Sequence, residues 1–239
     1  MKIIMSPSKT QDFSKDLSLV TTTREFKTKT DELLDIINDL SKEDIATIMK
    51  IKGTLLEDTY QNYQNYVNLP TNKAITSYTG AVFKGLEIDH YTKTEQDYLN
   101  DHLRILSALY GVLKPTDEIK PYRLDMKMKI LDEGLYSFWT ETITELFKKE
   151  NLIINLASNE FSKLIKLPMI TINFKEHKNG IYKVIGAYAK KARGKMIHYM
   201  IKNQVQDIET IKQFNTDGYA YNRDLSSEKD FIFTRSTSD

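Results

Sequence analysis

Strand candidates at residues 2–5 and 230–235 and short apolar runs at 152–156, 169–174 and 182–188 lie scattered among longer amphipathic stretches, with no regular strand–helix–strand rhythm. Runs this short fit buried strands, whereas apolar residues recurring every three to four positions fit helices. Helical spacing runs through 31–40, 42–50, 53–66, 94–110, 136–150 and 188–202. Residues 75–84 alternate and read as a further strand. Ser41 precedes the second helix with Asp44 at its third position, a near capping box, and Thr94 is the expected N-cap of the fourth. Asn179-Gly180, between two apolar runs, predicts a type I′ hairpin. Irregular alternation of this kind points to a mixed α/β (α+β) fold, a mixed sheet surrounded by helices.

That sheet must hold together without covalent help. The 239 residues contain no cysteine, which removes disulfides, thiolate nucleophiles, zinc ribbons and cysteine-ligated iron–sulfur clusters together. The four histidines, His90, His102, His177 and His198, show no metal-ligand spacing, so no metal and no other cofactor is expected. Hydrophobic residues make up 40% and charged residues 28%, in a chain long enough to bury a real core. Five prolines and nine glycines leave no obvious linker, and one domain over 1–239 is expected. No apolar run reaches membrane-spanning length, and the N-terminal one is too short for a signal peptide; a cytoplasmic protein with no membrane partner is the expectation. The net charge is only +1, far below that of a dedicated nonspecific DNA coat. Charge is nevertheless segregated: 31–58 is acid-rich, while 120–129 and 188–202 are basic.

Within 188–202, Ala189, Ala192, Met196, Tyr199 and Met200 share one helical arc, and Lys191, Lys195, His198 and Lys202 line the opposite side. Arg193 sits instead at the margin of the apolar arc, where a guanidinium needs an anion or acceptor to meet it. Gly194 lies mid-helix, which costs about 1 kcal/mol relative to Ala and implies close backbone approach. For the segment in isolation, a surface helix with a solvated basic face explains the rest.

Other constellations are individually weak. Ser6-Pro7-Ser8-Lys9 matches S-x-x-K, but a strand leads into it and the companion motifs of serine–lysine enzymes are missing. An anion contact at a strand's carboxyl end suits it better. His102 falls inside the apolar arc of 94–110 and reads as a satisfied core histidine. Residues 109–113, an apolar–Gly–apolar turn before Lys114-Pro115, are similar to a helix-hairpin-helix, although Gly also ends ordinary helices. Arg123 and Asp125 share a strand face and can pair with each other. Residues 155–161 pass from a buried strand through Asn155 and Ser158 to Glu160, where α/β proteins commonly place ligands. Dinucleotide, P-loop and nucleophile-elbow fingerprints are all lacking.

Seven segments nonetheless fall in a telling order: SPSKT at 6–10, FKGL at 83–86, HLRILSALYGVLKPTD at 102–117, PYRLDM at 121–126, NLASNEF at 155–161, YAKKARG at 188–194 and FNTDGYAY at 214–221. Together they resemble the YaaA family, described as peroxide-stress proteins, over nearly the whole chain. The resemblance implies a compact mixed α/β fold and protection against hydrogen peroxide by limiting unincorporated iron. It also implies a helix-hairpin-helix element and a positively charged cleft that binds duplex DNA. Carried onto the matched motifs, the cleft candidates are Lys9, Lys84, Arg104, Arg123, Lys190, Lys191, Arg193 and Lys195, with the hairpin around Gly111. Lys129 and Lys202 fall outside the motifs. Phe161 is a departure, since some relatives have Tyr there.

Two functions then compete. One is a cytosolic stress protein, without catalytic residues, that holds double-stranded DNA through its phosphates and independently of sequence. The other is an enzyme for a small anionic ligand, a nucleotide or phosphorylated metabolite, with Ser6, Thr10, Asn155, Ser158 and Glu160 beside the cations. A deep, narrow cavity favours the second, and an open groove about a duplex wide favours the first. Direct iron binding is disfavoured by the missing cysteine and dispersed histidines.

Overall fold

In the computed structural model, which describes residues 1–15 and 17–236, the strand candidate Lys2–Met5 becomes strand β1 inside an eight-stranded sheet. The other strands are β2 (Asn72–Lys73), β3 (Leu103–Ser107), β4 (Gly111–Leu113), β5 (Glu118–Ile119), β6 (Ile153–Asn155), β7 (Ile170–Lys178), β8 (Ile181–Lys183), β9 (Ala220–Tyr221) and β10 (Asp230–Ser236). The order is β4-β3-β1-β6-β7-β10-β9, with β8 also on β7 and β2-β5 forming a separate pair. From β3 to β10 the path is parallel, and β4, β8 and β9 join antiparallel. Parallel pairing requires crossovers, which lay helices on the sheet. These are α1 (Lys27–Asn38), α2 (Lys42–Met49), α3 (Thr54–Gln64), α4 (Ala74–Ser77), α5 (Ala81–Lys84), α6 (Lys93–His102), α7 (Gly134–Phe147), α8 (Asn159–Ser162), α9 (Gly186–Lys202) and α10 (Ile208–Lys212). The fold is therefore mixed α/β, as the element pattern implies.

Being covered on both faces, the central strands are continuously apolar: Ile3, Ile4, Met5, Ile153 and Ile154 are all buried. β1 and β6 are neighbours, with Ile4 opposite Asn155. The chain leaves β1 toward β3 on one side and leaves β6 toward β7 on the other. Open α/β sheets hold ligands outside the carboxyl ends of strands at such a switch point. Here those ends release Ser6 and the segment from Leu156 to Ser158.

Several local expectations hold. Ser41 and Asp44 close a reciprocal capping box on α2. Asn179 and Gly180, at φ 52° and 75°, turn β7 into β8. Others are corrected. The 94–110 stretch is a helix only to His102; Thr92 caps it, with Glu95 as the reciprocal partner, and Leu103–Ser107 is a central strand. Helical spacing (Leu99, Leu103, Leu106) and strand alternation (Leu103, Ile105) overlap here, and pairing of Leu103 with Ile3 decides for the strand. His102 is the last residue of α6, half-buried, with its Nδ1 donating to the Met1 carbonyl. The 75–84 stretch is not a strand but two one-turn helices, α4 and α5; Thr76 and Ser77 hydroxyls donate back to the Lys73 carbonyl.

The helix-hairpin-helix expected around Gly111 is instead a β-hairpin between β3 and β4. Gly111 has φ 71°, and a Cβ there would lie 2.7 Å from Trp139 and 3.0 Å from Phe26. Gly111→Ala is accordingly expected to destabilise the fold by about 2–3 kcal/mol, measured as a lowered urea midpoint.

Candidate functional site

At the switch point a cavity of about 490 Å³ opens between five pieces of chain. The loop after β1 supplies Ser6 to Gln11, α5 supplies Val82 and Phe83, and an extended strap supplies Tyr122 to Asp125. The segment after β6 supplies Ser158, Glu160 and Phe161, and α9 supplies Lys190 and Arg193. Ser158 is the N-cap position of α8, and its backbone N–H donates to Ser6 Oγ at 2.8 Å. The two hydroxyls also meet at 3.1 Å, joining the ends of β1 and β6. Ser8 and Thr10 hydroxyls pair at 3.0 Å. Asn155 lies behind this wall, buried, donating to Thr171 Oγ1 and accepting from Ala157 N–H.

The strap is pinned from below. Gln11 makes two hydrogen bonds to the Tyr122 backbone, both 3.1 Å. The Tyr122 hydroxyl is 2.8 Å from Ser107 Oγ and 2.7 Å from the Tyr78 hydroxyl. Burial pushes the Tyr122 hydroxyl up to about 12, so near neutral pH it acts as a proton-bearing strut and not as a base. Asp125 takes Lys9 rather than Arg123 as its ionic partner.

Two guanidinium groups on the cavity walls stand out energetically. Nε of Arg123 and Nε of Arg193 are both buried, with no hydrogen-bond partner among the described residues. Burial alone pulls the Arg193 pKa below its ordinary value, with no carboxylate acting against it. A buried, unpaired donor costs about 1–3 kcal/mol, and more on a charged group. Arg193 is aimed this way by its neighbour. A Cβ at Gly194 would lie 2.1 Å from the Val82 carbonyl oxygen and 3.0 Å from Gly85 Cα. Gly194 thus lets α9 press against α5, and the two helices together bring Val82, Phe83 and Arg193 to one cavity.

Among the sequence candidates, Lys9, Arg123, Lys190, Arg193, Ser6, Thr10, Ser158 and Glu160 therefore line one cavity. The remaining cations do not join them. Lys84 is exposed outside its lining. Arg104 donates to the Asn100 and Leu103 carbonyls and lines a separate cavity with Asp117 and Glu150. Lys191 pairs with Asp217 at 3.2 Å, and Lys195 pairs with Glu87. The supposed solvated face of α9 is thus matched with acids, since Lys202 also meets Glu95 at 2.8 Å. His198 is no free surface group either; its Nδ1 donates to the Leu86 carbonyl at 2.7 Å.

Gln11, Tyr122, Val82 and Phe83 escape a residue-by-residue search for chemistry because they are walls and struts. One signal was available: FKGL and YAKKARG both carry a glycine, and Gly85 and Gly194 are the two that touch. Among the described residues no group of three or more His, Cys, Asp or Glu is placed to hold a metal ion. No helix among them is long and apolar enough to cross a membrane.

Residues 1–225 match the family model described as peroxide stress protein YaaA. A UPF0246 protein of Fusobacterium nucleatum is 46% identical, with all of both chains covered. A UPF0246 protein of Clostridium perfringens is 39% identical and one of Acaryochloris marina 38%; each covers 98% of this chain and 100% of the relative.

Proposed function

The chain belongs to the YaaA family of peroxide stress proteins, and we propose that it serves that response by holding a small phosphate-bearing anion between Arg123 and Arg193. One observation supports this most: two buried guanidinium Nε groups, from distant parts of the chain, reach one cavity unpaired. Packing alone gives no reason to keep two unpaired like charges there. An anion satisfies both at once, through charge-assisted and bidentate hydrogen bonds. The cavity lies at the sheet's switch point, where α/β folds bind ligands, and its volume suits an organic molecule. Ser6 and Ser158 add hydroxyls, and Phe83 and Phe161 add apolar walls for a carbon skeleton.

Phosphate-driven binding of double-stranded DNA makes a different demand. It needs a row of free cations beside a groove about 12 Å wide. Lys9, Lys191 and Lys195 are each neutralised by a carboxylate, which weakens that reading. The two are separated by titrating inorganic phosphate and a short duplex at low and physiological salt. Phosphate at about 100 times its Kd is expected to stabilise the protein by about 2.7 kcal/mol. The duplex is expected to bind no tighter than about 10 μM at physiological salt. Tight duplex binding, abolished in Lys190→Glu/Arg193→Glu and unaccompanied by any phosphate effect, would reverse the choice.

A further inference from the structure

A second cavity, of about 290 Å³, lies against the same strap, and the two share Lys9, Gln11, Tyr122 and Arg123. Arg123 therefore borders both. The strap, held by the Gln11 bonds to Tyr122 and by the Lys9–Asp125 pair, is their shared edge, and both cavities open to solvent beside it, so a ligand reaches from one to the other over that edge. Across the second cavity stands α3. Leu55 and Thr59, and Asp58 and Asn62, are each four residues apart, two adjacent rows on one side of the helix, and all four line the cavity. Thr59 is buried and its hydroxyl donates to the Leu55 carbonyl, but the other three residues are not absorbed into the core. Leu55 is 45% exposed. Asp58 is exposed and Asn62 half-buried, and neither has an ion pair or side-chain hydrogen bond among the described residues. Phe13 and Pro121 close the slot with apolar surface.

The chemistry of the two cavities is complementary. The first offers guanidinium groups with unpaired Nε atoms; the second offers a half-open, largely apolar slot edged by a carboxylate and an amide. We propose that together they form one bipartite site for a nucleoside monophosphate. The phosphate sits between Arg123 and Arg193, and the base lies in the slot against Phe13 and Leu55. Asp58 accepts from an exocyclic amine of the base, and Asn62 hydrogen-bonds its ring edge, as such side chains do with base edges elsewhere. This inference rests on the phosphate reading of the first cavity.

Calorimetric titration of the full chain with inorganic phosphate, ribose 5-phosphate and the four common nucleoside monophosphates tests it. The variants are Asp58→Asn/Asn62→Ala, on a solvent-facing helix side, and Arg193→Gln, with thermal melts confirming that each folds. At least one nucleoside monophosphate is expected to bind about 30-fold tighter than ribose 5-phosphate. The double variant should remove most of that gain and leave phosphate affinity within about twofold, whereas Arg193→Gln should weaken every ligand. If phosphate binds but the base adds nothing, or if its gain survives the double variant, the bipartite site is wrong and the phosphate reading stands. If nothing binds, phosphate included, the reading of the first cavity falls and the bipartite site falls with it.

Discussion

Gly194→Ala is expected to destabilise the protein by about 2 kcal/mol, although alanine is the better helix former by about 1 kcal/mol. The reason is geometric. A methyl at this position would overlap the Val82 carbonyl oxygen, a backbone atom that has no rotamer to escape into. α5 would have to retreat from α9, and Gly85, packed Cα against Gly194, would lose its contact. Gly194→Leu should be worse, roughly 4 kcal/mol, because the added atoms enter a fully packed seam. For a chain of this size the two changes correspond to melting-temperature losses of about 4–8 °C and about 8–16 °C. The same retreat would pull Val82 and Phe83 away from Arg193, so phosphate affinity should fall in parallel. A Gly194→Ala protein as stable as wild type would mean that the α5–α9 seam is looser than described.

Arg193→Met should show the opposite pairing of effects. Removing an unpaired, half-buried charge is expected to leave stability unchanged or raise it by up to about 2 kcal/mol. Phosphate affinity should nevertheless drop about 100-fold, the value of a charge-assisted hydrogen bond in a partly desolvated site. A residue that weakens the fold while serving a ligand is the signature of a binding site, and neither effect alone would establish it. Lys84→Met, exposed and outside the cavity lining, is the control and should change neither quantity. Denaturant unfolding and phosphate titration on the same preparations read both. Loss of stability in Arg193→Met would assign the guanidinium a structural partner instead.

What was legible in the sequence was whatever local physics decides. β1 keeps its expected bounds because three consecutive apolar residues, Ile3 to Met5, set between Lys2 and Ser6, have no competing period. The Ser41–Asp44 cap and the Asn179-Gly180 turn are decided by adjacent residues. Arg193 and Gly194 could be marked as oddities because a guanidinium beside an apolar arc and a mid-helix glycine each violate a local rule. Failures came where distant chain arbitrates. Leu103–Ser107 satisfies two periods, and only its place beside β1 selects the strand. The acids that meet the basic face of α9, Glu87, Glu95 and Asp217, lie far along the chain, so the segment alone does not reveal them. The resemblance supplied the motifs that converge on the cavity, but not the ion pairs that sort Lys191 and Lys195 from Arg193.

The claim that Arg123 and Arg193 jointly hold an anion is tested most directly by diffraction from crystals soaked in selenate or tungstate. Both are tetrahedral oxyanions that scatter anomalously. The predicted result is an anomalous peak in the cavity, with oxygens about 3 Å from both Nε atoms. A cavity open to solvent, free of any peak, and with both guanidinium groups turned to acceptors within the protein would contradict it.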